Sequence, residues 1–458
     1  MAPEPLQSDA MVFFGASGDL AYKKIFPTLQ SMVRRGRLNV PIIGVANTPW
    51  TLEQFRARAK ESIQTHGKFD DAVFAKLSTL LQYIAGDYTD PATFKQLCTA
   101  IDGAKRPLFY LAIPPSLFAT VAKGIATVCQ PEHARLVLEK PFGRDLGSAK
   151  VLNHTLHQWF PEPSIFRIDH YLGKEPVQNL IYFRFANPFL LAGWNHRHIE
   201  SVQITMAEAF DVKGRGKFYE EVGAIRDVVQ NHMLQTVACL AMDCPHDNSH
   251  EALRDARGEL LQKIRPLNTQ SVVRGQYRGY KQEPGVAADS RVETFAAIRF
   301  DIDNERWTGV PFFVRVGKCL PITATEVIVR FQPIAHPVLD EAQLPGANYF
   351  RFRLGPEEVI AIGTRVKKPG ERMVGESAEL VAHHQPPDEM EPYERLLGDA
   401  AMGDATLFAR EDSVEAAWRI VNPILNDKSV PIEYEPGTWG PSDRLTPPGG
   451  WQNPEIEK

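Results

Sequence analysis

A histidine in a helical stretch is the first residue that could do chemistry. From residue 225 onward, Val228, His232, Thr236 and Leu240 are spaced four positions apart. This spacing predicts that they share one mostly apolar face of a helix. A histidine on such a face is often a hydrogen-bonded core residue. Because a free imidazole has a pKa of about 6.5, His232 could instead be a general base. A base of this kind would need a carboxylate to fix its tautomer. The spacing leaves both interpretations open.

Residues 167–176 form a dense group of hydrogen-bond donors. Asp169, His170, Tyr171 and Lys174 lie within six residues around Gly173. Histidine, tyrosine and lysine side chains can all donate to a phosphate ester, so the segment predicts an anion site, with a solvated loop as the alternative. Pro176 is suited to the first turn of a following helix.

Two further segments each follow an apolar run. Lys140 stands in the sequence 139–143 directly after residues 136–138, and ligands of open α/β sheets bind beyond the carboxyl ends of strands. A surface lysine at a strand end is the alternative. The turn Gly15-x-x-Gly18 follows residues 11–14, a placement that suits a pyrophosphate at a helix N-terminus. A tight turn without a ligand is the alternative.

The end of the second strand normally selects the nicotinamide cofactor. An acid there binds the ribose hydroxyl of NAD, and an arginine accepts the additional phosphate of NADP. This chain has Asn47 and Thr48 at that point, so the spacing rule does not separate the two cofactors.

The elements that must position these residues fall into two groups. Up to residue 172, short apolar runs alternate with helical stretches, such as 51–67 with Thr51 and Gln54 at capping-box spacing, which predicts a Rossmann-like, doubly wound parallel sheet over residues 1–172. Residues 173–458 predict a larger α+β domain on a mainly antiparallel sheet, suited to substrate binding and dimerisation. Its strands are expected at 199–207, 294–300, 312–316, 326–331 and 359–365. We expect one strong helix from about Gly223 to Met242, and a loose tail from Pro447 to Lys458.

Composition excludes several classes of protein. The 458 residues are 43% apolar and 23% charged, with a net charge of −5, so no broad basic field suits nucleic acid, and no apolar run is long enough for a membrane helix. The N-terminus lacks the pattern of a secretion signal. Five cysteines without a CxxC pair favour reduced thiols and a cytoplasmic location. Cys239 and Cys244 lack a zinc-knuckle context, so we expect no metal site.

Taken together, the motifs closely resemble those of the glucose-6-phosphate dehydrogenase family. The similarity extends over nearly the whole chain, and residues 169–175 are its most specific part. The matching segments are 15–21, 139–143, 167–175, 226–232, 273–277, 316–318, 393–397, 418–420 and 437–441.

The resemblance implies an enzyme that oxidises glucose 6-phosphate at C1 to the 1,5-lactone with hydride transfer to NADP, the first step of the oxidative pentose phosphate pathway. His232 would take the proton of the C1 hydroxyl, and Asp169 would orient His232. The implied substrate ligands are Lys140, His170, Tyr171, Lys174, Glu208, Asp227 and Lys318. The implied cofactor ligands are Gly15, Ser17, Gly18, Asp19, Leu20, Asn47 and Lys140. The family forms dimers or tetramers, and a large sheet with one free face would suit a homodimer.

Two positions depart from the family pattern. The family usually has arginine at the position of Asn47, so NAD stays open as an alternative cofactor. A basic residue is common near Thr323, where this chain has none, so one substrate contact is expected to be weaker.

Two alternative functions remain. One is a different Rossmann-type sugar oxidoreductase, which would not need the His170, Tyr171 and Lys174 group. The other is a catalytically silent regulator that binds a phosphosugar or a nucleotide. Such a regulator would be expected to lack the base or its orienting carboxylate, and both His232 and Asp169 are present.

Overall fold

A computed structural model describes residues 7–129, 133–333, 348–370, 372–384 and 390–455 of the chain. The chain divides into two compact units. Unit 1 comprises Met1–Lys174, Pro245–Asp255 and Met390–Glu415. Unit 2 comprises Glu175–Cys244, Ala256–Glu389 and Ala416–Lys458. Unit 1 thus takes in two later segments that the sequence pattern did not indicate.

The strands of the described residues are β1 Ala10–Phe14, β2 Ile42–Ala46, β3 Leu81–Ala85, β4 Pro107–Leu111, β5 Arg135–Leu138, β6 Ile165–Arg167, β7 Ile199–Ala207, β8 Val272–Tyr277, β9 Phe295–Phe300, β10 Phe312–Gly317, β11 Ala324–Phe331, β12 Tyr349–Gly355, β13 Glu358–Lys367, β14 Gly375–His384 and β15 Ile432–Tyr434.

The α-helices of the described residues are α1 Phe26–Arg34, α2 Leu52–His66, α3 Asp71–Leu80, α4 Pro91–Ala100, α5 Phe118–Gly124, α6 Leu146–His157, α7 Glu175–Ala186, α8 Pro188–Gly193, α9 Gly216–Ala224, α10 Leu234–Ala241, α11 His250–Lys263, α12 Pro392–Met402 and α13 Glu411–Val421. In the same described ranges, π-helical segments cover Ala21–Ile25, Ile125–Cys129 and Ile225–Met233. None of the helices described is long and apolar enough to cross a membrane.

Unit 1 is built on a parallel sheet. Its six strands run in the order β3-β2-β1-β4-β5-β6, and every neighbouring pair is parallel. All residues of β1, β2 and β4 are buried, as expected for strands covered by helices on both faces. The helix α2 begins with the expected reciprocal capping box of Thr51 and Gln54. The predicted Rossmann-like parallel sheet is confirmed.

Unit 2 is built on a mainly antiparallel sheet, which is also confirmed. Its nine strands run in the order β14-β13-β12-β11-β7-β10-β9-β8-β15. Within this nine-stranded sheet, as far as the chain is described, only the pairs β7 with β10 and β8 with β15 are parallel. Because β7 and β10 are parallel neighbours, the residues that follow them meet at one edge of the sheet.

The helix expected from Gly223 to Met242 is not one continuous α-helix. Gly223 has φ 63° and ψ 178°, which breaks the helical path. The chain then forms a π-helix from Ile225 to Met233 and an α-helix only from Leu234. The wider π turn changes which side chains share a face, so the four-residue spacing used to place His232 does not hold before Met233. Unit 2 also contains α7 and α9, which the prediction of one strong helix omitted.

The expectation that all cysteines are reduced is wrong for one pair. Cys98 on α4 and Cys129, at the end of the second π-helical segment, form a disulfide, with their Cα atoms 5.1 Å apart. Helix α4 and that segment pack side by side, a proximity that sequence spacing does not reveal. In the described part of the chain, Cys239, Cys244 and Cys319 are not disulfide-bonded. The predicted cytoplasmic location, which relied on reduced thiols, loses the support of this pair and stays a prediction.

The expectation of a loose tail after Pro447 is also wrong, as far as residue 455. The Trp451 indole donates to the carbonyl oxygens of Ser442 and Leu445, both at 3.0 Å. The backbone N–H of Gln452 donates to Gln203 at 2.9 Å, so the segment packs on the unit 2 sheet. Residues 456–458 lie outside the described residues.

Candidate active site

The glycine turn of unit 1 lies at the carboxyl end of β1. Gly15 has φ 82°, and its N–H donates to the Val45 carbonyl oxygen at 3.0 Å. The Gly18 N–H donates back to the Gly15 carbonyl oxygen at 2.9 Å, which closes a tight turn. A Cβ atom on Gly15 would collide with the Ala112 carbonyl oxygen, so the turn requires glycine both for its φ and for its space.

Two neutral hydroxyl groups lie where β1 and β2 end. The Thr48 hydroxyl donates to the Ser17 hydroxyl at 2.9 Å, and Asn47 beside them is exposed. Asp19 is exposed and forms a surface ion pair with Lys23 at 3.3 Å, while Leu20 directly precedes the first π-helical segment. A glycine turn with adjacent hydroxyls fits a nicotinamide dinucleotide. The side chain of residue 47 offers no charge to a 2′-phosphate.

Tyr88 is a member of this turn that sequence reasoning missed. Its hydroxyl accepts the Gly15 N–H at 2.9 Å and donates to the Val45 carbonyl oxygen at 3.1 Å. It therefore ties the turn to the end of β2. Tyr88 is separated from Gly15 by 73 residues, and no motif marks it.

Lys140 follows a buried carboxyl group at the end of β5. The Tyr110 hydroxyl donates to Glu139 Oε1 at 2.6 Å, and the Tyr393 hydroxyl also hydrogen-bonds to this carboxyl group. Burial raises the pKa of Glu139 to about 7, although both phenols and the Lys140 charge favour its ionised form. The Lys140–Pro141 peptide bond is cis. Lys140 is half-buried beyond the strand end, where the sequence predicted it.

The segment after β6 brings the predicted phosphate donors into one turn. The Tyr171 N–H donates to Asp169 Oδ1 at 3.0 Å, so the Asp169 carboxylate shapes the turn. Lys174 Nζ lies 3.9 Å from the centre of the Tyr171 ring. The His170 and Tyr171 ring centroids are 5.4 Å apart. The structure thus places His170, Tyr171 and Lys174 side by side on unit 1.

Tyr393 connects this turn to the Glu139 site. Its ring lies parallel to that of His170, with centroids 6.4 Å apart and an interplanar angle of 11°. Its hydroxyl hydrogen-bonds to Glu139. The sequence marked 393–397 only as a matching segment, and did not indicate this contact.

Unit 2 carries the remaining predicted ligands. Lys318 Nζ lies 2.6 Å from Glu208 Oε2, and the Lys318 side chain is 7% exposed. Glu208 directly follows β7 and Lys318 directly follows β10, so the parallel pairing of these strands brings the two residues together. Thr323 accepts a hydrogen bond from the Ala209 N–H at 3.0 Å, and its effect on substrate binding stays a prediction.

Asp227 and His232 both lie on the π-helical segment of unit 2. His232 is buried, and its carbonyl oxygen accepts the Thr236 hydroxyl at 2.8 Å. Burial, and then the charges of Asp227, Glu293 and Glu208, raise the pKa of the buried Tyr219. Asp227 and Glu208 therefore both lie near the Tyr219 phenol, which sequence reasoning missed.

Comparison with known proteins gives two family models, which meet near residue 180. Residues 12–179 match the family model described as glucose-6-phosphate dehydrogenase, NAD binding domain. Residues 181–446 match the model described as glucose-6-phosphate dehydrogenase, C-terminal domain. Glucose-6-phosphate 1-dehydrogenase 1 of Mycobacterium tuberculosis is 43% identical over 457 residues, covering 98% of this chain and 97% of the relative.

Two solved structures are similar over their full length. Glucose-6-phosphate 1-dehydrogenase from Mycobacterium avium superposes with a TM-score of 0.92 at 42% identity, covering 99% of this chain and 100% of the other. A glucose-6-phosphate dehydrogenase in complex with its substrate glucose 6-phosphate gives a TM-score of 0.91 at 34% identity, with the same coverage. The chain belongs to the glucose-6-phosphate dehydrogenase family.

Proposed function

We propose that this protein is a glucose-6-phosphate dehydrogenase that oxidises glucose 6-phosphate at C1 to 6-phosphoglucono-1,5-lactone. The observation that carries the proposal is similarity to the M. tuberculosis enzyme over 98% of the chain at 43% identity. The residues described above supply the chemistry that this reaction requires. Oxidising a hemiacetal to a lactone removes one proton and one hydride from the sugar.

His232 is proposed to take the proton. A neutral imidazole suits a general base at physiological pH. The burial of His232 and the hydrogen bond from Thr236 to its carbonyl oxygen restrict the helix that bears it. Asp169 is proposed as the carboxylate that fixes the tautomer of His232 and stabilises the imidazolium. The assignment of Asp169 follows from the family resemblance.

His170, Tyr171 and Lys174 are proposed to bind the 6-phosphate. A phosphate ester carries about −1.5 to −2 charges at pH 7, and charge-assisted hydrogen bonds to it are strong. Lys174 and His170 each contact the Tyr171 ring, so a cation and an imidazole both lie beside the Tyr171 phenol. Binding at this end would orient the sugar with C1 at the far end.

The sugar hydroxyls are proposed to contact Glu208 and Asp227, with Lys140 and Lys318 donating to substrate oxygens. The ion pair between Lys318 and Glu208 holds both side chains in a fixed geometry before substrate arrives. Preorganised polar groups of this kind contribute more to the transition state than mobile ones.

The proposed cofactor is NADP, with NAD as the alternative. When bound, the nicotinamide accepts the hydride from C1. The residues that would hold the dinucleotide are the glycine turn and the Ser17 and Thr48 hydroxyls, with Lys140 beyond β5. Because neutral hydroxyls can bond either a ribose or a phosphate, we expect a weaker preference for NADP than an arginine at position 47 would give.

A spectrophotometric assay tests the proposed function. Purified protein is incubated with glucose 6-phosphate and NADP or NAD, and reduced nicotinamide is followed. Turnover with glucose 6-phosphate, and little with unphosphorylated glucose, is expected. Equal turnover of both sugars would favour a different sugar oxidoreductase, and no turnover with any sugar would favour a binding protein.

A homodimer is proposed as the assembled form, with unit 2 as its interface. The strand β14 is at one end of the sheet order and exposes Leu380 and Val381 by 64% and 43%. An exposed apolar edge strand invites pairing with another chain. Light scattering of the purified protein tests this proposal, and a particle with twice the mass of one chain is expected. Four times that mass would indicate a tetramer, and the mass of one chain would refute the proposal.

A further inference from the structure

We infer that Glu293 is a positioning residue for the dehydrogenase reaction, which it serves by fixing where the helix that bears Asp227 and His232 begins. The inference rests on the proposed function. It concerns an ion pair between Arg274 and Glu293, inside unit 2, that the proposed chemistry does not use.

Glu293 accepts hydrogen bonds from the two residues that follow the break at Gly223. Its backbone carbonyl oxygen accepts the Ala224 N–H at 3.0 Å. Its side-chain Oε1 accepts the Ile225 N–H at 3.1 Å. The first N–H groups of a helix have no partner within the helix, and a carboxylate there also interacts favourably with the helix dipole. One residue thus satisfies the start of the π-helical segment.

The space at the break is matched to this contact. A Cβ atom on Gly223 would lie 2.6 Å from Glu293 Oε1. Its φ of 63° is also a conformation that favours glycine. The break therefore brings the carboxylate directly against the backbone, where a side chain at position 223 would push it away.

Arg274 holds the carboxylate in place. Its Nη2 and Nε atoms lie 3.1 Å and 3.3 Å from Glu293 Oε2. The same guanidinium donates to the carbonyl oxygens of Asp427, Ser429 and Arg291 at 3.0, 3.1 and 2.5 Å. The side chains of Arg274 and Glu293 are 10% and 8% exposed. Since Arg274 is anchored to fixed backbone, Glu293 has little freedom to move.

The helix start decides the position of the proposed active-site groups. Asp227 lies two residues after Ile225, within the first turn, and His232 lies on the same segment. The Lys318–Glu208 ion pair is held by the sheet and not by this helix. A shift of the first helical turn would therefore move the Asp227 and His232 side chains relative to that pair. Displacements of about 1 Å can cost about 100-fold in rate. Loss of the Arg274–Glu293 ion pair should therefore lower turnover without removing any group that is proposed to contact substrate.

Steady-state kinetics of Glu293→Ala, Glu293→Gln and Arg274→Ala test the inference. We expect Glu293→Ala to lower kcat roughly 10- to 100-fold, with the KM for cofactor unchanged. Glutamine keeps one oxygen for the Ile225 N–H but turns its amide NH2 toward the Arg274 guanidinium, so Glu293→Gln should recover only part of the loss. Arg274→Ala should resemble Glu293→Ala, and the double variant should add little, because the two residues act as one unit.

A matched control comes from a second buried ion pair of unit 2. Glu326 and Arg353 are 3% and 7% exposed and 2.8 Å apart, and they join two strands, β11 and β12. Glu326→Ala should lose comparable thermal stability and keep kcat within about threefold. A kcat loss in Glu293→Ala no greater than that in Glu326→Ala would overturn the inference.

An isotope effect separates positioning from general destabilisation. With glucose 6-phosphate deuterated at C1, Glu293→Ala should show a larger primary isotope effect on kcat than the wild type, because the chemical step becomes slower. An unchanged isotope effect would count against the inference. If Glu293→Ala does not fold, Arg274→Lys replaces it in the same comparison, because lysine cannot keep both guanidinium contacts to Glu293 Oε2. A kcat equal to that of the control then overturns the inference. Inactive wild-type protein would instead refute the proposed function.

Discussion

The Thr48 hydroxyl donates a hydrogen bond to the Ser17 hydroxyl at 2.9 Å, joining the end of β2 to the turn after β1. The Tyr83 hydroxyl in turn donates to the Thr48 carbonyl oxygen at 2.6 Å, so the position of Thr48 is fixed. The end of β2 therefore carries the uncharged side chains of Asn47 and Thr48, at the point where a dinucleotide-binding enzyme usually has an acid or an arginine.

Asn47→Arg should shift the cofactor preference toward NADP. Asn47 is exposed beside Thr48, so an arginine has room to extend, and a charge-assisted bond to a phosphate contributes about 1.5–3 kcal/mol. We expect the ratio of kcat/KM for NADP to that for NAD to rise roughly tenfold or more. Asn47→Gln, which adds length without charge, serves as control, and a ratio that rises equally in both variants would contradict the interpretation of this position.

His232→Asn should lower kcat by at least about 100-fold while substrate binding persists. Loss of a positioned general base typically costs two to four orders of magnitude. The measurement is kcat together with the dissociation constant of glucose 6-phosphate from calorimetry.

His157→Asn is the control for His232→Asn. His157 is a half-buried histidine in unit 1 whose Nε2 lies 2.9 Å from Glu162 Oε2, and the proposed mechanism gives it no role. It should keep kcat within about threefold. Near-normal turnover in His232→Asn would remove this residue from the mechanism.

Lys174→Met should raise the KM for glucose 6-phosphate roughly 10- to 100-fold, with a smaller change in kcat. Methionine keeps much of the apolar stem that covers the Tyr171 ring but removes the cation. Activity toward unphosphorylated glucose should stay as it is in the wild type, since that sugar has no phosphate to lose. A parallel loss for both sugars would show that Lys174 acts on folding rather than on the phosphate.

Local signals made much of this fold predictable. Thr51 and Gln54 form the capping box that their spacing indicated, and the buried run after Ala10 forms a parallel strand as expected. The groups that hold the site together carry no such signal. Tyr88 and Glu293 reach Gly15 and Ile225 across 73 and 68 residues, so only tertiary packing brings them there. The same applies to the Cys98–Cys129 disulfide.

Removal of this disulfide by Cys98→Ser should destabilise unit 1. The bridge closes a loop with a sequence separation of 31 residues, for which chain-entropy reasoning gives about 3–4 kcal/mol. Denaturation followed with and without reductant checks this expectation: reductant should lower the midpoint of the wild type to that of Cys98→Ser. Cys244→Ser, at an exposed free thiol, should respond to reductant as the wild type does. A reductant-insensitive wild type would show that the two cysteines are not bonded in solution.

Glu139 should make stability depend on pH in the neutral range. Burial raises its pKa from 4.5 to about 7, so between these values the folded protein retains a proton that the unfolded chain has released. The contribution of this group to stability is therefore largest below pH 4.5, declines as the pH rises, and is lost above about 7. The total change is on the order of 3 kcal/mol.

Glu139→Gln removes this titration while keeping an oxygen for the Tyr110 hydroxyl, which lies 2.6 Å from Oε1 in the wild type. The free energy of unfolding of the variant relative to that of the wild type should thus increase between about pH 5 and pH 8. Urea unfolding at each pH measures it. Tyr393→Phe gives an independent check of sign. It removes a hydrogen bond that lowers the pKa of Glu139, so the decline in stability should move to higher pH. A stability difference between Glu139→Gln and the wild type that is constant across this range would mean that Glu139 does not titrate there.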